Sequence, residues 1–296
     1  MIVINEEYEK LNNRSDNTMA SIFLRFPEGR AKALTLSYDD GVEQDVHLIE
    51  IMNRFGLKGT FNLNSGVYAE EGTVYPEGQI HRRMTEKKVT ETYINSGQEV
   101  AVHSLTHPFL EQLQSNLVVK EIMQDRENLE KQFNTIVRGM AYPYGTFDDK
   151  VVAALEACGI VYARTVISTN DFRIPKDWMR LTATCHHDAP ELQDLTRKFI
   201  EDKVSHTPYL FYLWGHSYEF EANNNWHIIE DFGKFVGGRK NIWYATNIEI
   251  YEYIDAYNRL IFSADGKCVK NPSSRKIWFE YEGKTIEIEG GEAKKL

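Results

Sequence analysis

"ALTLSYDDGVEQD", residues 33–45, is the stretch whose reading decides the fold. An apolar run ends at Tyr38, and two adjacent carboxylates follow, Asp39 and Asp40, then Gly41. Residues 31–38 read as a buried strand. Residues 43–56 carry apolar side chains at 46, 48, 49, 51, 52 and 55, a helical period that stops at Gly56. A strand that feeds a helix through an acidic turn is half of a βαβ unit. In parallel α/β folds ligand chemistry gathers just beyond the carboxyl ends of the strands.

The same alternation continues downstream. Strands are expected at 59–64, 98–104, 160–168 and 208–217, a strand running into a turn at 137–145, and helices at 85–97, 111–133, 146–159, 223–235 and 247–258. This predicts an α/β domain built on parallel strands. The last thirty residues differ: alternating runs at 277–281 and 285–288 flank Glu282-Gly283 and predict a β-hairpin. The expected division is a catalytic domain over 1–265 and a small β extension over 266–296.

With 296 residues the chain can bury a large core. Its formal net charge of −10 argues against nucleic acid and against anionic membrane surfaces as partners. Cys158, Cys185 and Cys268 are odd in number and widely spaced, which argues against a disulfide framework or a zinc ribbon. The N-terminal "MIVINEEYEKLNNRSDN" lacks the basic start and apolar core of a signal peptide. The expectation is a reduced, cytoplasmic setting, with secretion the alternative if a leader was trimmed. Oligomeric state is not legible.

Four segments carry candidate chemistry. In "VHSLTH", His103 and His107 stand four apart at a strand end, a spacing that lets both face one metal ion; the plainer reading is two surface histidines. A carboxylate from the acidic pair would complete a set that leaves positions open for water and substrate. A divalent ion there supplies Lewis acidity, lowering the pKa of water and polarising a carbonyl. Successive side chains at a strand end diverge, so one of Asp39 and Asp40 can bind metal while the other acts as base. "AYPYG", 141–145, is a tight turn able to aim a backbone N–H at an oxyanion. "YLFYLWGHS", 209–217, puts His216 at the end of an apolar strand, as a general acid or as a core histidine.

Together and in this order, "SYDDG" (37–41), "HSLTH" (103–107), "PYG" (143–145) and "LWGH" (213–216) resemble the polysaccharide deacetylase family, carbohydrate esterases with the NodB homology domain. The resemblance covers roughly residues 30 to 260. It implies a distorted (β/α) barrel, TIM-like with fewer strands, and removal of acetyl groups from N-acetylated carbohydrate. It further implies Asp39 as base, Asp40, His103 and His107 as metal ligands, the Tyr144 N–H as oxyanion donor and His216 as acid. The implied cofactor is a divalent metal, zinc first, with cobalt, nickel, manganese or iron as alternatives.

The sequence departs from the family pattern at two points. The third motif usually begins with an Arg that pairs with the base, and here that position is Ala141; Arg164, on the next strand, is the candidate replacement. The Asp that supports the acid is expected at Asp177, followed by Trp178, with Asp171 as the other option. Tyr144, Trp214, His187 and Glu219 are the substrate-binding candidates. "TCHHD", 184–188, reads as a substrate contact, a second metal site or a solvated loop. The alternatives to a sugar deacetylase are a hydrolase of small amides or imides on the same fold, a non-catalytic sugar-binding relative, and an Fe(II) oxygenase using a two-His, one-carboxylate set.

Overall fold

The computed structural model describes residues 21–296, so the signal-peptide reading of the N-terminus lies outside the described residues. They form two compact units, Arg30–Asp255 and a smaller one of residues 21–29 with Ala256–Leu296.

The larger unit runs β1 (Lys32–Asp39), α1 (Asp45–Arg54), β2 (Gly59–Leu63), α2 (Glu86–Tyr93), β3 (Glu99–Val102), α3 (Ser115–Phe133), β4 (Gly139–Ala141), α4 (Asp149–Ala157) and β5 (Tyr162–Ser168). It continues through β6 (Leu181–Ala183), β7 (Cys185–His186), α5 (Leu192–Glu201), β8 (Tyr209–Gly215), α6 (Ser217–Ala222), α7 (His227–Val236), β9 (Ile242–Tyr244) and α8 (Asn247–Asn258). The strands form one parallel sheet in the order β6-β5-β4-β3-β2-β1-β8-β7, with β9 alongside the first half of β1. β6 borders β5 and β7 borders β8, and Thr184 interrupts the run between them. The two end strands of this parallel α/β sheet, β6 and β7, thus follow one another in the chain.

Every residue of β1 is buried. Leu34, Leu36 and Tyr38 belong to the same apolar cluster as Leu48, Ile51 and Met52 of α1. The alternate residues Thr35, Ser37 and Asp39 share the opposite face, because side chains alternate along a strand. That face is polar: Thr35 donates to Asn247, and Asn62 donates to both Ser37 and Asp39. The alternation therefore points Asp39 inward. At Asp40 it breaks, because the backbone turns to φ 86 and Gly41 follows at φ 65.

In the smaller unit, Ile277–Tyr281 and Lys284–Ile288 pair antiparallel around Glu282 and Gly283, both at positive φ, as a two-residue hairpin turn requires. Ile22–Arg25 adds to the hairpin as a third strand, so this unit draws on the start of the described chain as well as its end, and it begins ahead of the expected position 266. A second small sheet, Ile261–Phe262, Cys268–Lys270 and Ala293–Lys295, completes it.

Candidate active site

The carboxyl ends of β1, β3, β4, β5 and β8 converge on one set of side chains. Asp39 is buried and forms a close ion pair with Arg164 of β5. Its other oxygen accepts from Asn62 Nδ2 at 2.8 Å. Burial by itself would raise this carboxyl, but the adjacent Arg164 guanidinium, helped by His103 and His216, holds it below the usual carboxylate range. Arg164 stands in register with Ala141 of β4, so the neighbouring strand supplies the cation that position 141 lacks. Its guanidinium lies 4.6 Å from the Trp214 ring.

Asp40 diverges to the mouth of the barrel. Its carboxylate lies 3.0 Å from Arg83 Nη2, 3.3 Å from His81 Nε2 and 3.9 Å from His107 Nε2. Burial again opposes ionisation and is overcome, here by His81, His103 and Arg83, so the group is ionised. Arg83 also donates to the Asp40 carbonyl oxygen and to Asn64. His81 and Arg83 come from the long βα loop after β2 and were missed in the sequence; the basic cluster His81-Arg82-Arg83 in a βα loop was the available signal.

His103 follows β3, with its backbone N–H 2.9 Å from Leu63 O and 3.2 Å from an Asp125 carboxylate oxygen. Its Nδ1 lies 2.8 Å from Ala141 O. A carbonyl only accepts, so Nδ1 carries the ring proton and Nε2 presents a lone pair to the site. His107 Nε2 lies 3.2 Å from that lone pair. Burial lowers both imidazoles, His107 to about 4, which keeps them neutral and able to ligate at neutral pH. One ligand atom each from Asp40, His103 and His107 lies within 4.8 Å of the others. Two neutral nitrogens and one anionic oxygen facing a common point form a donor set suited to zinc or a similar divalent ion. The backbone at this rim is bent to match: Asp40, Ser104, His107 and Tyr144 all adopt positive φ without being glycine.

Tyr144 is half exposed beside this set, its ring 4.5 Å from His107 and stacked on Phe109 at 3.9 Å. On the opposite side, His216 Nε2 lies 3.8 Å from Asp39 Oδ2.

Four expectations need correction. Asp177 does not support His216: it caps the turn Trp178–Arg180 and pairs with Arg180 at 2.9 Å, while Asp171 pairs with Arg173. The carboxylate facing His216 is Glu219, 3.3 Å from Nδ1. Glu219 is therefore engaged behind His216 rather than open to a ligand. "TCHHD" is not a solvated loop, and His187 is closed to substrate: its buried ring stacks between Tyr38 and Phe220. Gly215 makes room for it, since a Cβ there would meet His187 Nδ1 at 2.1 Å. Trp214 is nearly buried and backs Arg164 and His186 rather than offering an open face.

Residues 27–163 match the family model described as polysaccharide deacetylase. A solved structure of a candidate polysaccharide deacetylase from Mycobacterium smegmatis superposes with a TM-score of 0.57 at 14% identity, covering 80% of this chain and 94% of that one. That likeness carries the fold. A family 4 carbohydrate esterase from Streptomyces lividans in complex with acetate matches at 0.47 and 15% identity, covering 72% of this chain and 92% of that one. A Streptococcus pyogenes deacetylase in complex with acetate matches at 0.42 and 22% identity over 55% of this chain, and the match spans 64% of the Streptococcus chain's length. No curated protein matches the chain. No helix among the described residues is long and apolar enough to cross a membrane.

Proposed function

We propose that this chain, which belongs to the polysaccharide deacetylase family through residues 27–163, hydrolyses the N-acetyl group of an N-acetylated sugar with a divalent ion held by Asp40, His103 and His107. The observation that carries the reading is the division of labour between the two carboxylates. Asp39 is paired with Arg164, whereas Asp40 turns away toward two neutral imidazoles. When bound, the ion supplies Lewis acidity to the acyl carbonyl and to water.

The chain's own groups account for the proton movements. Asp39, ionised beside Arg164 and oriented by Asn62, takes a proton from the attacking water. The Tyr144 N–H, on a turn held at φ 58, is the proposed donor to the developing oxyanion. His216 enters protonated: burial disfavours its charge, but Glu219 and the two aspartates more than compensate and raise it. The C–N bond breaks with its electron pair going to nitrogen, which takes the proton from His216 Nε2. Acetate and an amine leave.

The test is acetate release from N-acetylated chitin oligosaccharides by zinc- or cobalt-loaded protein, set beside ring opening of small cyclic imides. Acetate release supports the proposal. Imide hydrolysis without acetate release would move the substrate to small amides on the same machinery.

A further inference from the structure

We propose that Glu219 is the positioning residue of His216, holding its Nδ1 proton and being held in turn by His186, so that a glutamate three residues after the acid takes the place expected for an aspartate at 177. The inference rests on the deacetylase reading for its kinetic consequence but not for its geometry.

The contacts are specific. His216 Nδ1 lies 3.3 Å from Glu219 Oε1. Glu219 Oε2 accepts the backbone N–H of His216 at 3.0 Å, which ties the carboxylate to the strand end that carries the ring. The same oxygen lies 3.1 Å from His186 Nε2 and 3.4 Å from His187 Nε2. His186 and His216 hold Glu219 well below the usual carboxylate range against the cost of burial. At 3.3 Å the pair is a close ion pair rather than an aligned hydrogen bond; an ionised carboxylate only accepts, so the contact favours a proton on Nδ1. Nε2 is then the nitrogen free to exchange a proton at Asp39's side of the pocket.

The cluster His186, His216 and Glu219 has the composition of a cation site, but its protons are already placed. His186 Nδ1 accepts the Asp188 N–H at 3.2 Å, so the His186 ring proton sits on Nε2 and points at Glu219. A nitrogen carrying a proton cannot ligate a metal. His186 therefore acts as a donor to Glu219, and the Asp188 carboxylate, gripped by Asn223 and Asn225, fixes the loop that presents it. The groups facing His216 are accounted for on every side: Asp39 at 3.8 Å, Glu219 at 3.3 Å, and the rings of Tyr218 and Trp214 at 5.1 and 6.1 Å, with Asp40 acting through space.

The experiment has two arms. Nitrogen-15 NMR of histidine-labelled protein reads the tautomer of His216 without any substrate. In the alkaline limb of a pH titration, where the His216 ring has lost its positive charge, the expected result is a remaining proton on Nδ1 in the wild type, and loss of that preference in Glu219→Gln. In the kinetic arm, with an N-acetylated chitin oligosaccharide as probe, Glu219→Gln should lower kcat roughly 10²-fold, the lower edge of what a positioned proton donor contributes, with KM unchanged. Glu219→Asp should recover part of it. A neutral wild-type His216 ring whose proton sits on Nε2, or wild-type kcat in Glu219→Gln, overturns the proposal. If the wild type releases no acetate, the deacetylase reading falls while the NMR arm still decides the role of Glu219.

Discussion

Strand β3 begins with a half-buried carboxylate, Glu99, and runs directly into a buried imidazole, His103; the two ends of the barrel can be compared along this one strand. At the opening end, Glu99 accepts from Tyr162 Oη and Thr60 Oγ1, each at 2.7 Å, and from the Ile248 N–H at 2.9 Å. No cation pairs with it among the ion pairs of the described residues, and burial pushes it up to about 7. At the far end, Asp39 is buried more deeply, yet Arg164 holds it low. The more buried of the two is the one held in its ionised form. A buried carboxylate ringed by hydroxyls and amides ties elements together, and one paired with a guanidinium stays charged and ready to accept a proton. The same split between a structural and a chemical end is general in βα barrels.

The comparison breaks first at Asp39. Asp39→Asn should lower kcat by about 10²–10⁴-fold while metal content stays at the wild-type level, as measured by acetate release and elemental analysis of one preparation. Glu99→Gln, at the opposite end, should leave kcat within about twofold. Equal losses in the two variants would remove the distinction between the ends.

Arg164→Met sharpens the same contrast through stability. Removing one partner of a buried ion pair costs about 3–5 kcal/mol, because the remaining charge is stranded. Denaturant titration at pH 7 should show a loss of that order, and kcat should fall with it. An Arg164→Met protein as stable as wild type would mean that Asp39 is not charged in the fold.

The smallest expected effect is the pH dependence of the structural end. Glu99 is pushed up to about 7 by burial, as is Asp45 beneath the opposite, catalytic rim. Raised carboxyls retain their protons in the folded state above the pH at which the unfolded chain loses them. Their contribution to stability is full below the unfolded pKa and declines as pH rises, until it is lost through pH 7. Denaturation midpoints should therefore fall from pH 5 toward pH 8, and Glu99→Gln should flatten that slope. An unchanged slope would place the titration elsewhere.

Much of this was legible in the sequence. The long strands and the helices of the larger unit announce themselves by period, and the hairpin by Glu282-Gly283 between alternating runs. The four motif segments meet at one mouth because each ends a parallel strand. The rest was hidden for physical reasons. β6, β7 and β9 are two or three residues long, too short for a period. α5 is amphipathic, with Leu192, Leu195 and Phe199 buried, but it followed a segment read as solvated. Glu219 was misread because its role comes from a single turn of helix placing it behind His216, and Asp177 because a residue type matched where the local cap, Met179 and Arg180, claims the side chain. Arg164 is a different case: nothing in "YARTV" distinguishes a buried cation from a surface one, and only the register of β5 against β4 sets it beside Ala141.

The central claim is that Asp40, His103 and His107 hold one divalent ion. Equilibrium dialysis against zinc, with elemental analysis of wild type, His103→Ala and His186→Ala, tests it most directly. The account predicts about one ion per chain in wild type and in His186→Ala, and none retained by His103→Ala. Wild type without zinc, or His103→Ala with its full complement, would contradict it.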